Sequence, residues 1–300
     1  MIEAPRPTPF EPGTLAAVID RVRAAALASG ALQPIQTEQE LVEDGGVRFV
    51  VRRVSSLDLK RLAGRRRADP SARTPANPFL PPEPALLLAE VSDTHRAVLN
   101  KYYVLDGHLL IVTRAFVDQE ALLDERDFAA LETCMAELPS LGFYNGGIVA
   151  GASQPHKHLQ MVPLPLAREG PAVPIEPLFA PVAGAAGIVR VPALAFPHAF
   201  AWREAAENAT PARLAALYRA LLEAIGVRAL ERGGMPSQSS PYSLLVAERW
   251  MLAVPRVREH FGTISVNALG FAGSLFVRDA DELAALRRAG PMAALRAVAG

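Results

Sequence analysis

Two histidines and a glutamine stand at alternate positions in "GASQPHKHLQ", residues 151–160: His156, His158 and Gln160. The whole chain holds six histidines, so two within three positions is a concentration that asks for a reason. In an extended strand, residues two apart share a face. These three side chains therefore point one way, and Lys157 and Leu159 point the other. Polar groups on one face of a sheet are costly to bury without partners. Three kinds of partner fit the pattern: hydrogen bonds at a surface, a metal ion, or a reacting phosphate. Zinc needs a third and usually a fourth protein ligand. The sequence has no CxxC or HExxH, and His95, His108, His198 and His260 are scattered. Neutral imidazole, with an ordinary pKa of about 6.5, is a good nucleophile near pH 7 and can attack phosphorus. A second histidine beside it can orient the ring or place charge near the leaving oxygen. An amide two residues on can donate to the oxygen where charge develops. The lead-in "NGGIVAGASQ" supplies small residues whose backbone N–H groups suit a polyphosphate. It matches neither GxxxxGK[ST] nor GxGxxG.

The elements that must hold this stretch can be read around it. Residues 13–28 have the apolar spacing of a helix, and "DGGVRFVVRRV" is a turn followed by a strand. From 55 to 84 the chain is basic and then proline-rich, without a period, which predicts a long loop. "ALLLAEV", "HRAVLNKYYVL" and "HLLIVTR" read as strands, the last two joined at Asp106-Gly107. A helix over 125–138 follows, with Asp124 as its N-cap. "GFYNGGIVAGAS" and "HKHLQMVPLP" return the chain to the sheet. After a proline- and alanine-rich connector come a helix over 211–230, the strands "YSLLVAE" and "WMLAVPR", the loop "NALGFAGS", the strand "LFVRD" and two short helices. "LNKYYVLDGHLLIVTR" and "SLLVAERWMLAVPR" echo each other as strand, turn and strand ending in a basic residue, a hint of duplication.

Composition narrows the partners. The formal net charge is zero, so nothing draws the whole molecule to nucleic acid or an anionic membrane, and phosphate recognition must be local. The single cysteine, Cys134, permits no intrachain disulfide and sits at a helical core position. No run reaches the length of a membrane span, and "MIEAPRPTPFEPG" lacks the pattern of a signal peptide. The expected setting is the cytoplasm. His108 reads as a structural turn residue, and the "RRR" at 65–67 as a solvated run.

Three segments resemble a known family: "NGGIVAGASQPHKHLQMVPLP", "VLNKYYVLDGHLLIVTRAFVDQEALL" and "RWMLAVPR…ISVNALGFAGSLFVRD". They look like diadenosine tetraphosphate (Ap4A) phosphorylase, or ATP adenylyltransferase, in the HxHxQ branch of the histidine-triad superfamily. The resemblance runs from about 37 to 279. It implies an α+β fold: a histidine-triad-like antiparallel sheet with flanking helices over 1–170, elaborated by an α+β half over 171–300 that completes the nucleotide site. It implies that His158 attacks the α-phosphorus and releases ATP, and that phosphate then takes the adenylyl group to give ADP. In this reading His156 supports the nucleophile and Gln160 contacts the α-phosphate. Gly151, Ala152, Ser153 and Gln154 match the polyphosphate loop, Asn145 the asparagine upstream of it, and Asn100 the ribose-holding position, followed by Lys101. Asn267, Ser274 and Arg278 match positions that complete the site, and Lys60 is a looser match for a phosphate-contacting lysine. Asn100 and Asn145 also fit a turn-stabilising role. The implied partners are dinucleoside polyphosphates, ATP, ADP and phosphate. No cofactor is required, and magnesium would arrive with the polyphosphate. One departure is Ser243, where the family usually has asparagine. A nucleotidyltransferase with another acceptor, such as a sugar phosphate, and a non-catalytic nucleotide sensor remain as alternatives.

Overall fold

Residues 11–55, 77–203 and 210–300 are described by the computed structural model. Helix α1 (Leu15–Ser29) ends where Gly30 turns left-handed. A hairpin follows, β1 (Thr37–Asp44) and β2 (Val47–Val54), turned at Gly45-Gly46. Sequence reading had no strand for "TEQELVED". Its exposed edge carries charges with few apolar positions, so the period-2 signal is faint.

Four strands then build the part of the sheet that carries the site: β3 (Leu87–Glu90), β4 (His95–Leu99), β5 (Leu109–Thr113) and, after α2 (Glu125–Met135), β6 (Ser140–Gly146). Helix α2 starts where expected. The Asp124 carboxylate accepts from the backbone N–H groups of Arg126 and Asp127, and the Asp127 carboxylate accepts from Asp124 N–H, a complete capping box. Next comes β7 (His158–Pro163), the motif strand.

Beyond the connector lie β8 (Ile188–Val189), β9 (Ala199–Trp202) and α3 (Pro211–Ala224). The helix expected over 211–230 is shorter than that. Gly226 adopts φ 78°, and 229–232 instead forms β10 (Ala229–Arg232), paired with β11 (Met235–Gln238). Then follow β12 (Tyr242–Val246), β13 (Trp250–Pro255), the short pair β14 (His260–Phe261) and β15 (Ile264–Ser265), β16 (Ser274–Val277), α4 (Ala280–Ala289) and α5 (Pro291–Val298).

The main sheet has nine strands in the order β3-β4-β5-β7-β6-β12-β13-β9-β8, every pair antiparallel. The fold is thus α+β, as expected. β6 and β12 pair in the middle of this sheet, so strands from both halves of the chain share it without a break. Period-2 alternation assigns each strand's residues to one of two cores. Tyr242, Leu244 and Val246 of β12, with Leu159 and Met161 of β7, pack under α1, α2 and α3. Leu245 of β12 and Val162 of β7 face the other way, toward β2, β16 and the terminal helices. β1, β2 and β16 form a separate three-stranded sheet on that side, with β16 parallel to β2. The site occupies the remainder of this second face, around Phe79, Val98, Leu110 and Val112.

Candidate active site

β7 begins at His158, opposite Val112 of β5, and the alternation of the motif is kept. His156 and His158 both lie with ring centroids 5.5 Å from that of Phe79, on the site face. Lys157 goes through to the helix face. There its ammonium donates to Asp127 Oδ2 at 2.6 Å and to Leu122 O at 2.9 Å. His95 Nε2 meets the other oxygen of Asp127 at 3.0 Å. Burial works to raise the Asp127 pKa, but the His95 hydrogen bond and the Lys157 charge outweigh it, and the carboxyl is held below its usual range.

One backbone group sets the tautomer of His158. Its Nδ1 is 2.8 Å from the carbonyl oxygen of His156, an acceptor, so Nδ1 carries the proton and Nε2 keeps its lone pair. Burial depresses the imidazole pKa to about 4, so the ring is neutral at pH 7. His158 lines a cavity of about 180 Å³ together with Asn100, Lys101, Ser153, Gln154 and Gln160. The apolar walls of this cavity include Phe79, Leu86, Val98 and Leu110. An apolar slot rimmed by a few convergent polar groups suits a nucleoside with its phosphates at one end.

His156 is engaged on both ring nitrogens. Nε2 donates to Thr113 O at 2.9 Å, close to Thr113 Oγ1 at 2.8 Å, while Nδ1 accepts from Asn77 Nδ2 at 2.9 Å. Neither nitrogen is left for a substrate, so the residue acts on the site through the carbonyl it presents to His158.

His108, which the sequence reads as a structural turn residue, instead reaches two amides of the site. Its Nε2 donates to Gln160 Oε1 at 2.9 Å, and its Nδ1 accepts from Asn100 Nδ2 at 3.1 Å. Burial lowers its pKa to about 4, which keeps it neutral with one donor and one acceptor. One imidazole thus orients two amides. Gln160 is left with its NH₂ free to donate into the cavity, and Asn100 Oδ1 is left facing Tyr102 N–H at 3.3 Å. His108 immediately precedes β5, the strand antiparallel to the motif strand. Only the register, Leu109 opposite Met161, shows that it reaches Gln160.

The remaining expected residues divide. Asn100, Lys101, Ser153 and Gln154 are at the cavity, with Lys101 paired to Glu83 at 2.7 Å. Gly151 and Ala152 shape the loop instead of presenting their amides, because those N–H groups donate to Ile148 O and Gly147 O. Gly151 has φ 97°, and a Cβ there would stand 3.0 Å from that of Asn267, so glycine is required twice over. Asn267 caps the turn 268–272 through its own Oδ1, bonded to Leu269 N–H. Asn145, fully buried, accepts from Ala268 N–H at 2.9 Å and so joins β6 to this C-terminal turn. Ser274 and Arg278 are not brought to the cavity. The hydroxyl of Ser274 accepts from Arg52 within the three-stranded sheet. Arg278 forks onto Glu282 at the start of α4, where a surface ion pair satisfies it. Lys60 lies outside the described residues. Ser243 finds a specific partner: its Oγ accepts from Arg256 Nη1 at 3.0 Å. The same buried guanidinium holds Ala150 O and Val266 O, the flanks of the two loops that meet at Gly151. Among the described residues no group of three or more His, Cys, Asp or Glu is placed to hold a metal ion.

Comparison with known proteins places this geometry. Residues 5–181 match the family described as Ap4A phosphorylase N-terminal domain, and 192–300 match ATP adenylyltransferase C-terminal domain. The chain belongs to the Ap4A phosphorylase family. Membership makes it an enzyme of the nucleotidyltransferase class. Diadenosine 5',5'''-P1,P4-tetraphosphate phosphorylase 2 of Saccharomyces cerevisiae is 26% identical over 237 residues, covering 69% of this chain and 70% of the yeast protein. Protein APA1 of the same yeast is 24% identical over 306 residues, covering 91% and 89%. The crystal structure of yeast Ap4A phosphorylase Apa2 superposes with a TM-score of 0.79 at 21% identity, over 97% of this chain and 98% of that one. Its complex with Ap4A gives 0.76 at 22% identity, again over 97% and 98%. These likenesses bear out the fold class, down to the helix-covered antiparallel sheet.

Proposed function

We propose that this protein catalyses the reversible phosphorolysis of Ap4A to ADP and ATP through an adenylyl group held on His158. His158 Nε2 attacks the α-phosphorus, forming a P–N bond as the bond to the bridging oxygen breaks, and ATP departs with that oxygen. The proton stays on Nδ1, donated in a hydrogen bond to His156 O throughout, so the lone pair remains available at Nε2. An oxygen of inorganic phosphate then attacks the same phosphorus. The P–N electrons return to Nε2, ADP leaves, and the phosphate's proton passes to solvent. Gln160, oriented by His108, donates to the α-phosphate as charge builds there. Asn100 holds the ribose, and Ser153 and Gln154 take the polyphosphate, joined by Lys60. A magnesium ion enters with the polyphosphate as part of the substrate.

The observation that carries this reading is the free Nε2 of a neutral, buried His158 that lines a cavity with apolar walls and a polar rim. It also argues against a non-catalytic sensor, which has no use for a prepared nucleophile. No helix among the described residues is long and apolar enough to cross a membrane, and the one cysteine is buried and free. The cytoplasmic setting expected from the sequence is part of this proposal.

The deciding experiment supplies Ap4A with and without phosphate and identifies the products. ADP and ATP formed only with phosphate are expected; AMP and ATP in either case would make the protein a hydrolase. In parallel, radiolabelled Ap4A without phosphate should leave an adenylylated protein in the wild type and none in His158→Ala. An adduct that survives the substitution would place the nucleophile elsewhere.

A further inference from the structure

The strand that carries His158 is not fully paired. β6 and β7 stay in register only up to the pair Phe143 and Gln160, after which the strands part. Asn145 of β6 and His158 of β7 lie beyond that point, and backbone groups that a ladder would satisfy are left open in a buried place. A single side chain fills the gap. Gln119 Oε1 accepts from His158 N–H at 2.8 Å, while Gln119 Nε2 donates to Asn145 O at 2.9 Å and to His158 O at 3.3 Å. The backbone of Gln119 is fixed as well: its N–H donates to Pro155 O at 2.8 Å, and its carbonyl accepts from the Tyr144 hydroxyl. The residue is buried, with every polar group partnered.

From this geometry we infer that Gln119 is a positioning residue for the adenylyl transfer. Its carboxamide stands in for the missing β6–β7 ladder and grips the nucleophile's own residue at both backbone polar groups. The parting of the strands lets His158 sit away from β6, with its Nδ1 turned back to His156 O and its Nε2 toward the cavity. A continuous ladder would hold His158 flat against Asn145. The same carboxamide reaches the C-terminal half, because Asn145 accepts Ala268 N–H through its side chain while its backbone carbonyl is bonded to Gln119. The turn behind Gly151 and the nucleophile therefore share one fixed node. Glutamate of the same shape keeps the acceptor for His158 N–H but faces two carbonyl oxygens where the amide donated. Leucine removes all three bonds. Glutamate thus loosens the lateral restraint on His158 and leucine abolishes it, and displacement of a reacting group by about 1 Å lowers rate on the order of 100-fold.

This inference rests on the adenylyl-His158 reading, and the test separates the two. Rapid-quench trapping of adenylylated protein from Ap4A without phosphate gives an amplitude, the fraction of competent molecules, and a rate, the quality of alignment. Gln119→Glu and Gln119→Leu are compared with the wild type, alongside their Tm. The expected result is a 10- to 100-fold slower burst at an amplitude matching the folded fraction in at least the glutamate variant. Burst rates equal to the wild type, with any loss confined to amplitude and Tm, would overturn the inference and leave Gln119 a filler of the gap. If the wild type itself traps no adduct, the covalent reading fails. The split is then read from steady-state ATP formation, where a fall in kcat at unchanged KM supports the positioning role and equal kcat per folded molecule refutes it.

Discussion

His108 orients both Gln160 and Asn100, so in an Asn100→Ala background its loss acts only through Gln160, and a double-mutant cycle built on that background can show it. His108→Phe keeps a ring beside Phe143, whose centroid lies 5.7 Å away, but removes the donor to Gln160 Oε1 and the acceptor for Asn100 Nδ2. The size of the effect is bounded from both sides. An amide that merely flips between two orientations presents its NH₂ half of the time, a loss of about twofold. An amide that leaves the cavity forfeits a donor to the charged phosphate oxygen, roughly 100- to 1,000-fold in kcat. Gln160 is buried and loses its single fixed partner, so the expected fall in kcat/KM lies between, about 10- to 100-fold. Gln160→Ala should reach the upper bound. In that background the combined His108→Phe/Gln160→Ala variant should match Gln160→Ala within two- to threefold, because an oriented group that is absent cannot be misoriented. The assay is ADP formation from Ap4A and phosphate, with urea unfolding to normalise for folded protein. Multiplying losses, with the double variant a further factor of ten or more below Gln160→Ala, would refute the orienting role and make His108 a contact of its own.

Other consequences follow from buried charge. The pKa of His158 is depressed to about 4, so the acid limb of kcat/KM should fall well below the ordinary imidazole value of about 6.5; a limb at 6.5 would mean that the ring is solvated. His158 and His108 both titrate lower in the folded chain than in the unfolded one. Their contribution to stability is therefore complete above about pH 6.5 and disappears as pH falls toward 4, on the order of 3 kcal/mol each, which urea titrations across that range would register. Asp127→Ala strands the Lys157 ammonium and the His95 ring on the helix face and should destabilise the fold by about 3–5 kcal/mol, seen as a lower urea midpoint at unchanged slope; a loss below 1 kcal/mol would show that water reaches Lys157.

Much of this site is legible in the sequence, and the boundary of what is legible has a physical cause. Strand alternation separates His156 and His158 from Lys157, because the period of a strand is a local property. The capping box at Asp124 and the helix that follows it are local in the same sense. What alternation cannot supply is register and the far end of a long-range contact. His108 meets Gln160 across 52 positions, and Gln119 meets His158 across 39. Nothing in either residue's neighbourhood announces the partner. Ser274 and Arg278 show the reverse case. Their types suit a phosphate, yet a nearby group takes each of them: Arg52 for the serine and Glu282 for the arginine. Lys157 looks like a fourth polar member of the motif, and its charge is used on the opposite face.

The side chains that touch the cavity owe their orientation to groups fixed by the backbone. His158 takes its tautomer from the carbonyl of His156, and His156 is held by the Thr113 carbonyl and by Asn77. The loop at Gly151 is set by Arg256, whose guanidinium grips Ala150 O and Val266 O at once, and the Ser243 hydroxyl completes its coordination. With serine instead of asparagine at 243, the side chain is shorter by one atom group and still reaches Arg256 directly, so the departure from the family pattern leaves this anchor in place. The proposed reaction, in which an adenylyl group moves between a nitrogen and two different phosphates, gains most when the nucleophile and donors are aligned before substrate arrives. A sheet interrupted at one point and closed there by a carboxamide gives that alignment. The open ladder frees His158 from its neighbour strand, and the surrounding β-sheet fixes everything to which it is tied.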